Sequence, residues 1–459
     1  MATTSTVVPG PAGLPLLGSM LDLKNDSLGT FLNAQRVHGD VVRFTAGPPG
    51  LRGVLYGVFS AEGAQQVLAT QSANFRKDNL FYQEVRESFG NGLLTSQDED
   101  YLRQRRLIQP LFTRRRVDSY AGAVATEAAS LTEEWRTAED STVDVLDEMT
   151  RLALRAVARI LFGTDVEAAV AIVERAFPVM ADYVLRRGFS PRNIPRDWPT
   201  PGNRRAAAAS RELYAVCDRI VAERRAAAGA GAVDDDRQDL LTLLAEAESA
   251  EDGSFGATEL REQVLVFLLA GHETTATSLG FALHLLARHP EQRKRAHEEV
   301  DRVLAGRTPG AADLDALPYL TQVLKEAMRL YPAAAIIGRR AVAATEVDGY
   351  TIPAGADVIV APWVTHRHTG YWEEPERFDP DRFTPEAEAA RPRYAWFPFG
   401  GGPRACIGQH FSMLESVIAL AMILQAYDLE AIDTEVPVNA AITLTPAGPA
   451  RCRLHPRAG

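Results

Sequence analysis

Cysteine is scarce in this chain: three in 459 residues (Cys217, Cys406, Cys452), with no CxxC pair among them. That excludes a disulfide framework and predicts a reducing, cytoplasmic setting. Long apolar runs are missing as well. The stretch LVFLLA (265–270) is too short to cross a bilayer. The opening MATTSTVVPGPAGLPLLG has no positively charged start, so neither a leader nor a membrane anchor is expected, only a stiff Pro-rich arm over 1–18. Excess positive charge is lacking too. A net charge of −11 argues against nucleic acid as the main partner. No GxxxxGK[ST] or GxGxxG run appears, and the lone Gly-Ala-Gly in AGAGAVDDD (228–236) follows a helical pattern, which reads as a surface linker.

The rest of the composition is that of a soluble globular protein, 46% hydrophobic and 24% charged. Apolar residues recur at three- and four-residue spacing over 122–138, 144–162, 205–226, 259–289, 291–304 and 317–330, predicting helices. Strand-like pieces are short: VVRFTA (41–46), VLYGVF (54–59), TEVDGYTIP (345–353), ADVIVAP (356–362) and AITLTP (441–446). Four prolines in RRGFSPRNIPRDWPTPGNRR (186–205) predict a long loop. With no repeat and no clear boundary, the chain reads as one mainly helical domain over 1–459 with a small β-rich region, and as a monomer.

One cysteine stands apart. FGGGPRACIG (399–408) sets Cys406 among glycines 400, 401, 402 and 408. A helical pattern, IGQHFSMLESVIALAMILQ, follows it within a stretch spanning 397–425. A buried structural thiol, a phosphate loop and a zinc site all compete as readings. The glycines permit close approach of a flat ligand, a helix start favours thiolate, and Arg404 adds a cation two residues away. A soft anionic sulfur in that setting suits iron.

Phe399, Gly402, Arg404, Cys406 and Gly408 match the FxxGxRxCxG signature at every position, so the chain resembles the cytochrome P-450 family. Other segments, in the same order as in the family, extend the resemblance over nearly the whole length. LLAGHETTATS (268–278), within a long central helix over 259–289, resembles the oxygen-activation motif as Ala270-Gly271-His272-Glu273-Thr274-Thr275. Its bland reading is a packing glycine with hydroxyls bonded back to their own carbonyls. The resemblance instead implies that Glu273 relays protons, that the Thr274 hydroxyl serves the oxygen-binding side, and that Ala270 and Gly271 border the cofactor. KEAMRLYP (325–332) resembles the ExxR motif, and PDRF (380–383) resembles the later PERF segment, with Asp381 in place of the commoner glutamate. A structural triad of Glu326, Arg329 and Arg382 is implied. The second such segment, PERF (375–378), has the poorer spacing. YLRQRR (101–106) resembles WxxxR with Tyr101 in place of tryptophan, so Tyr101 and Arg105 are implied partners of a haem propionate. Arg339, beside Arg340, is another.

The family fold is a triangular, mostly helical prism with a small β-rich lobe. The implied ligand set is haem b with Cys406 as axial thiolate, which favours cleavage of the O–O bond. The implied activity is a monooxygenase using O2 and electrons from NAD(P)H delivered by ferredoxin and ferredoxin reductase. The alternatives are a peroxygenase, a rearrangement enzyme or a non-enzymatic haem sensor. By position, Phe81, Tyr82, Val85 and Phe89, with Phe267, Ala335, Ile336, Ile337, Ile442 and Thr443, should line the substrate pocket. Their apolar character points to a hydrophobic terpenoid, polyketide or fatty-acid-like substrate in bacterial secondary metabolism. An acid-free arginine run, RQRRLIQPLFTRRR (103–116), is expected to offer Arg103, Arg106, Arg114, Arg115 and Arg116 to an acidic ferredoxin.

Overall fold

Helix periodicity becomes helix over most of the chain. The computed structural model describes residues 7–48, 50, 52–162, 167–190, 193–229, 240–249 and 251–457. Six anticipated helices are present as Ala121–Thr137, Val145–Phe162, Pro201–Gly229, Ala257–Arg288, Pro290–Leu304 and Pro318–Leu330. The linker read at 228–236 lies largely outside the described residues. The anticipated loop over 186–205 is shorter than expected. A helix, Glu167–Gly188, occupies its first residues, and the next begins at Pro201. Proline is tolerated at the first helical position, where its missing N–H has no intrahelical partner to lose, so Pro201 starts a helix rather than breaking one.

The chain divides into two compact units. The first comprises Met1–Asn79, Lys325–Cys406 and Val436–Gly448. Its five-stranded sheet runs in the order Val41–Ala46, Gly53–Val58, Asp357–Val360, Ile337–Ala341, Phe75–Arg76. Only the pairing of Gly53–Val58 with Asp357–Val360 is parallel. Val58, Val358 and Val360 pack from the sheet onto Val67 and Leu68, with Tyr394 and Phe397 on the same cluster. Thr345–Val347 and Tyr350–Ile352 form a hairpin, as do Val438–Ala440 and Leu444–Pro446.

The second unit comprises Leu80–Leu324, Ile407–Glu435 and Pro449–Gly459. Its axis is the 32-residue helix Ala257–Arg288, apolar on most faces because most of it is core. Glu259 starts it by accepting the Gly256 N–H at 3.0 Å. Val145–Phe162 lies against this helix at close range, and two glycines make that possible. A Cβ on Gly271 would stand 3.0 Å from Val157, and one on Gly280 would stand 2.6 Å from Leu146. The falling partner numbers make the two helices antiparallel. By length and hydropathy the central helix could cross a membrane, but 72% of its apolar window is buried inside the protein. A core helix passes the same test. The mainly α architecture with small sheets is the one expected.

Candidate functional site

In the first unit the glycine loop is built by its own backbone. Gly400 N–H donates to Phe397 O at 2.9 Å, Ala405 N–H to Gly402 O at 3.1 Å, and Cys406 N–H to Phe399 O at 2.9 Å. Gly400 and Gly402 take φ of +69° and +62°, the left-handed region glycine enters without a Cβ penalty. Gly402 has a second constraint: a Cβ there would sit 2.0 Å from the Leu68 carbonyl oxygen, in the π-helical turn Gln66–Thr70. Gly402→Ala is therefore expected to lift the loop off that turn at a cost of about 1–3 kcal/mol. Gly400→Ala meets open space and should cost only about 1 kcal/mol. Thermal unfolding of the two variants, with matched haem loading, separates them. Equal loss would remove the packing role of Gly402.

The three cysteines differ sharply in setting. Cys217 and Cys452 are buried, and burial pushes both thiols up to about 12. Cys406 is exposed at the end of its loop, three residues before the helix Gln409–Ala426 begins, with Gly408 as N-cap. Only this sulfur is accessible and placed for a soft metal.

Cations gather around it. Arg339 is buried on its strand, while Arg340 points outward near Asp357, so the strand's alternation separates the two neighbours. The same sheet brings in a residue that sequence reading missed. Phe75 pairs with Ala341 and Arg76 with Arg340, and Lys77 follows at the end of that short strand, in the electrostatic neighbourhood of Arg339. Desolvation, with Arg339 and Arg404 nearby, holds the Lys77 ammonium well below the ordinary lysine range, and Cys406 alone pulls it upward. Arg339, Arg404 and Lys77 about one cysteine fit a dianionic, iron-bearing ligand. In sequence, RKDN (76–79) resembles any solvated charge run, and only strand register marks it.

Behind the loop lies a buried ion pair. Arg329 and Glu326 are both fully buried, joined at 2.6 and 2.8 Å. Arg382 Nε stands 3.5 Å from Glu326, whose Oε1 also accepts the Asp379 N–H at 2.9 Å. The structure thus brings Glu326, Arg329 and Arg382 together. Arg329 further donates to the carbonyls of His366, Pro375 and Arg377. The Arg377 side chain itself is exposed on Glu374 and Asp379, outside this group.

The second unit carries the other candidates. Along the buried central helix one stretch is open: Ala270 is exposed, and Gly271, Glu273 and Thr274 are half-buried. Thr274 Oγ1 donates to Ala270 O at 3.0 Å, Thr277 to Glu273 O at 2.8 Å, and Ser278 to Thr274 O at 3.0 Å, which is the local back-bonding the bland reading described. His272 is buried, bonded to Leu268 O at 2.8 Å and edge-on to Phe177; burial lowers its pKa to about 4. It is a core histidine. Tyr101 and Arg105 lie one turn apart on Asp98–Ile108, the phenol buried and the guanidinium half-buried.

The pocket candidates divide by burial. Phe81 and Tyr82 are half-buried and edge-on to each other at 5.4 Å, and Phe267 lies 5.5 Å from Phe112. Val85 and Phe89 are buried, Phe89 against Phe177, which makes them core of the second unit. In the first unit, Ile337 belongs to the sheet core, Ala335 is buried and Ile336 is half-buried. The Leu444 N–H donates to Ala333 O at 2.8 Å, which sets the half-buried Ile442 and Thr443 beside that segment.

The arginine run is largely neutralised by acids far away in sequence. Arg103 pairs with Glu259 at 2.8 Å, Arg106 with Asp252, and Arg114 with Asp315 at 3.1 Å. These three are therefore not the open docking charges the sequence implied, and the remaining members are Arg115 and Arg116.

A family model described as Cytochrome P450 matches residues 8–451. "Cyclooctatin synthase" of Streptomyces melanosporofaciens is 36% identical, over 98% of this chain and 96% of its own length. "Cyclooctat-9-en-7-ol 5-monooxygenase" of the same organism is 35% identical, over 94% and 90%. "Pentalenene oxygenase" of Streptomyces avermitilis is 33% identical, over 97% and 96%. With a family match across almost its whole length and an accessible cysteine in the signature loop, the chain belongs to the cytochrome P450 family.

Proposed function

We propose that this haem-thiolate monooxygenase hydroxylates or epoxidises a terpenoid-like hydrocarbon in bacterial secondary metabolism. The observation that carries the assignment of the centre is the accessible Cys406 sulfur on its glycine loop, with Arg404, Arg339 and Lys77 about it. Haem b supplies the iron at which O2 is activated. Cys406 would hold that iron through its thiolate. Arg404, Arg339 and Lys77 in the first unit, and Arg105 and Tyr101 in the second, are the residues that would hold the haem propionates, while Phe399, Gly402 and Gly408 shape the cysteine loop. Glu326, Arg329 and Arg382 brace that loop from behind.

On the central helix, Glu273 and Thr274 deliver protons. The Thr274 hydroxyl is engaged with Ala270 O, so delivery requires that bond to be exchanged. The residues that would meet an apolar substrate are the half-buried Phe81, Tyr82 and Phe267 of the second unit and the half-buried Ile336, Ile442 and Thr443 of the first. Electrons come from NAD(P)H through separate carriers, a ferredoxin and its reductase, in the cytoplasm, with Arg115 and Arg116 as the docking charges.

Two measurements test this reading. Polycyclic terpene hydrocarbons should displace iron-bound water and shift the Soret band, whereas linear fatty acids of equal carbon number should not; the reverse order would move the substrate class. Thr274→Ala should keep haem and substrate binding while diverting most reducing equivalents into hydrogen peroxide, roughly tenfold or more in product yield per NAD(P)H. Full coupling in that variant would remove Thr274 from proton delivery.

A further inference from the structure

We infer that His366 is a positioning residue for the axial cysteine, acting as the hydrogen-bond acceptor at the root of the cysteine loop. This rests on the reading of Cys406 as the iron ligand. His366 is fully buried in the first unit, 40 residues before Cys406 in the chain. Its Nε2 accepts the Phe397 backbone N–H at 2.9 Å, a buried bond across 31 residues. Phe397 is where the loop starts: its carbonyl takes the Gly400 N–H, and two residues on the Phe399 carbonyl takes the Cys406 N–H. From His366 to the sulfur-bearing residue the chain of main-chain contacts is short.

The imidazole is held on both sides. Its ring meets the Phe397 ring edge-on at 5.3 Å between centroids. Its own carbonyl takes Arg329 Nη1 at 2.9 Å, which ties it to the buried ion pair. The neighbouring Thr365 hydroxyl donates to Phe59 O at 2.8 Å. Accepting at Nε2 requires the proton to sit on Nδ1, which is buried without a hydrogen-bond partner of its own among the described residues. Burial, with Arg329 and Arg367 alongside, keeps the ring neutral and so keeps Nε2 an acceptor. A leucine of similar volume would fill this space without a buried polar edge to satisfy, so what histidine adds here is the acceptor.

The test compares three variants of the haem-bound protein. His366→Gln can place Oε1 where Nε2 stands. His366→Asn is polar but too short to reach, and His366→Leu has no acceptor. Two quantities are read: amide exchange at Phe397, and the rate at which the reduced carbon-monoxide complex loses its thiolate-type Soret band in mild denaturant. Gln should match wild type in both. Asn and Leu should exchange the Phe397 amide and lose the band about tenfold faster, the effect of one unsatisfied buried N–H. If Leu fails to load haem, the Gln–Asn pair carries the comparison. Leu behaving as wild type, or Gln behaving as Asn, overturns the inference. A wild-type protein without a thiolate band overturns instead the ligand reading beneath it.

Discussion

Glu326→Ala is expected to destabilise the haem-bound protein by about 3–5 kcal/mol, the cost of leaving a buried charge uncompensated. Arg329 has no solvent to turn to, since both side chains are fully buried. Its guanidinium also holds the carbonyls of His366, Pro375 and Arg377, so its displacement would loosen the segment that carries the cysteine loop. Burial raises the Glu326 pKa while Arg329, Asp379 N–H and Arg382 oppose the rise, so the carboxylate exists there only because of its partners. A total domain stability of about 5–15 kcal/mol makes this loss a large fraction of the whole. Replacing both members with apolar residues of like volume, Glu326→Leu with Arg329→Met, should recover part of it, because no lone charge remains. Denaturant unfolding of the single and double variants decides the matter. A single variant within about 1 kcal/mol of wild type would mean that the pair does not brace the fold.

What was legible in the sequence depended on how local its cause is. Helices written in a 3.6-residue period, such as Pro290–Leu304, were readable to within a residue or two. The helix Glu167–Gly188 was missed, with Pro178 in its interior and a proline-rich stretch following. The two-residue strand Phe75–Arg76 has no period at all, yet it brings the adjoining Lys77 near Arg339. The cysteine loop was readable because a turn with two left-handed residues needs glycine in place. The fate of the arginine run was not, because Glu259 and Asp315 lie 156 and 201 residues away from their partners. His366 was passed over for the same reason: its acceptor role exists only against Phe397, 31 residues on. Val85 and Phe89 show the converse limit, since apolar spacing does not separate a pocket wall from core.

The most direct test of the account is the spectrum of the reduced protein under carbon monoxide. Thiolate ligation shifts the Soret band to the red, and no neutral ligand from this chain would do so. Cys406 is the accessible sulfur, while Cys217 and Cys452 are buried with thiols pushed up to about 12, where they remain protonated at neutral pH. Wild type, Cys217→Ser and Cys452→Ser should all show the red-shifted band, and Cys406→Ser should lose it completely together with monooxygenase activity. Retention of that band in Cys406→Ser would contradict the assignment on which everything else here depends.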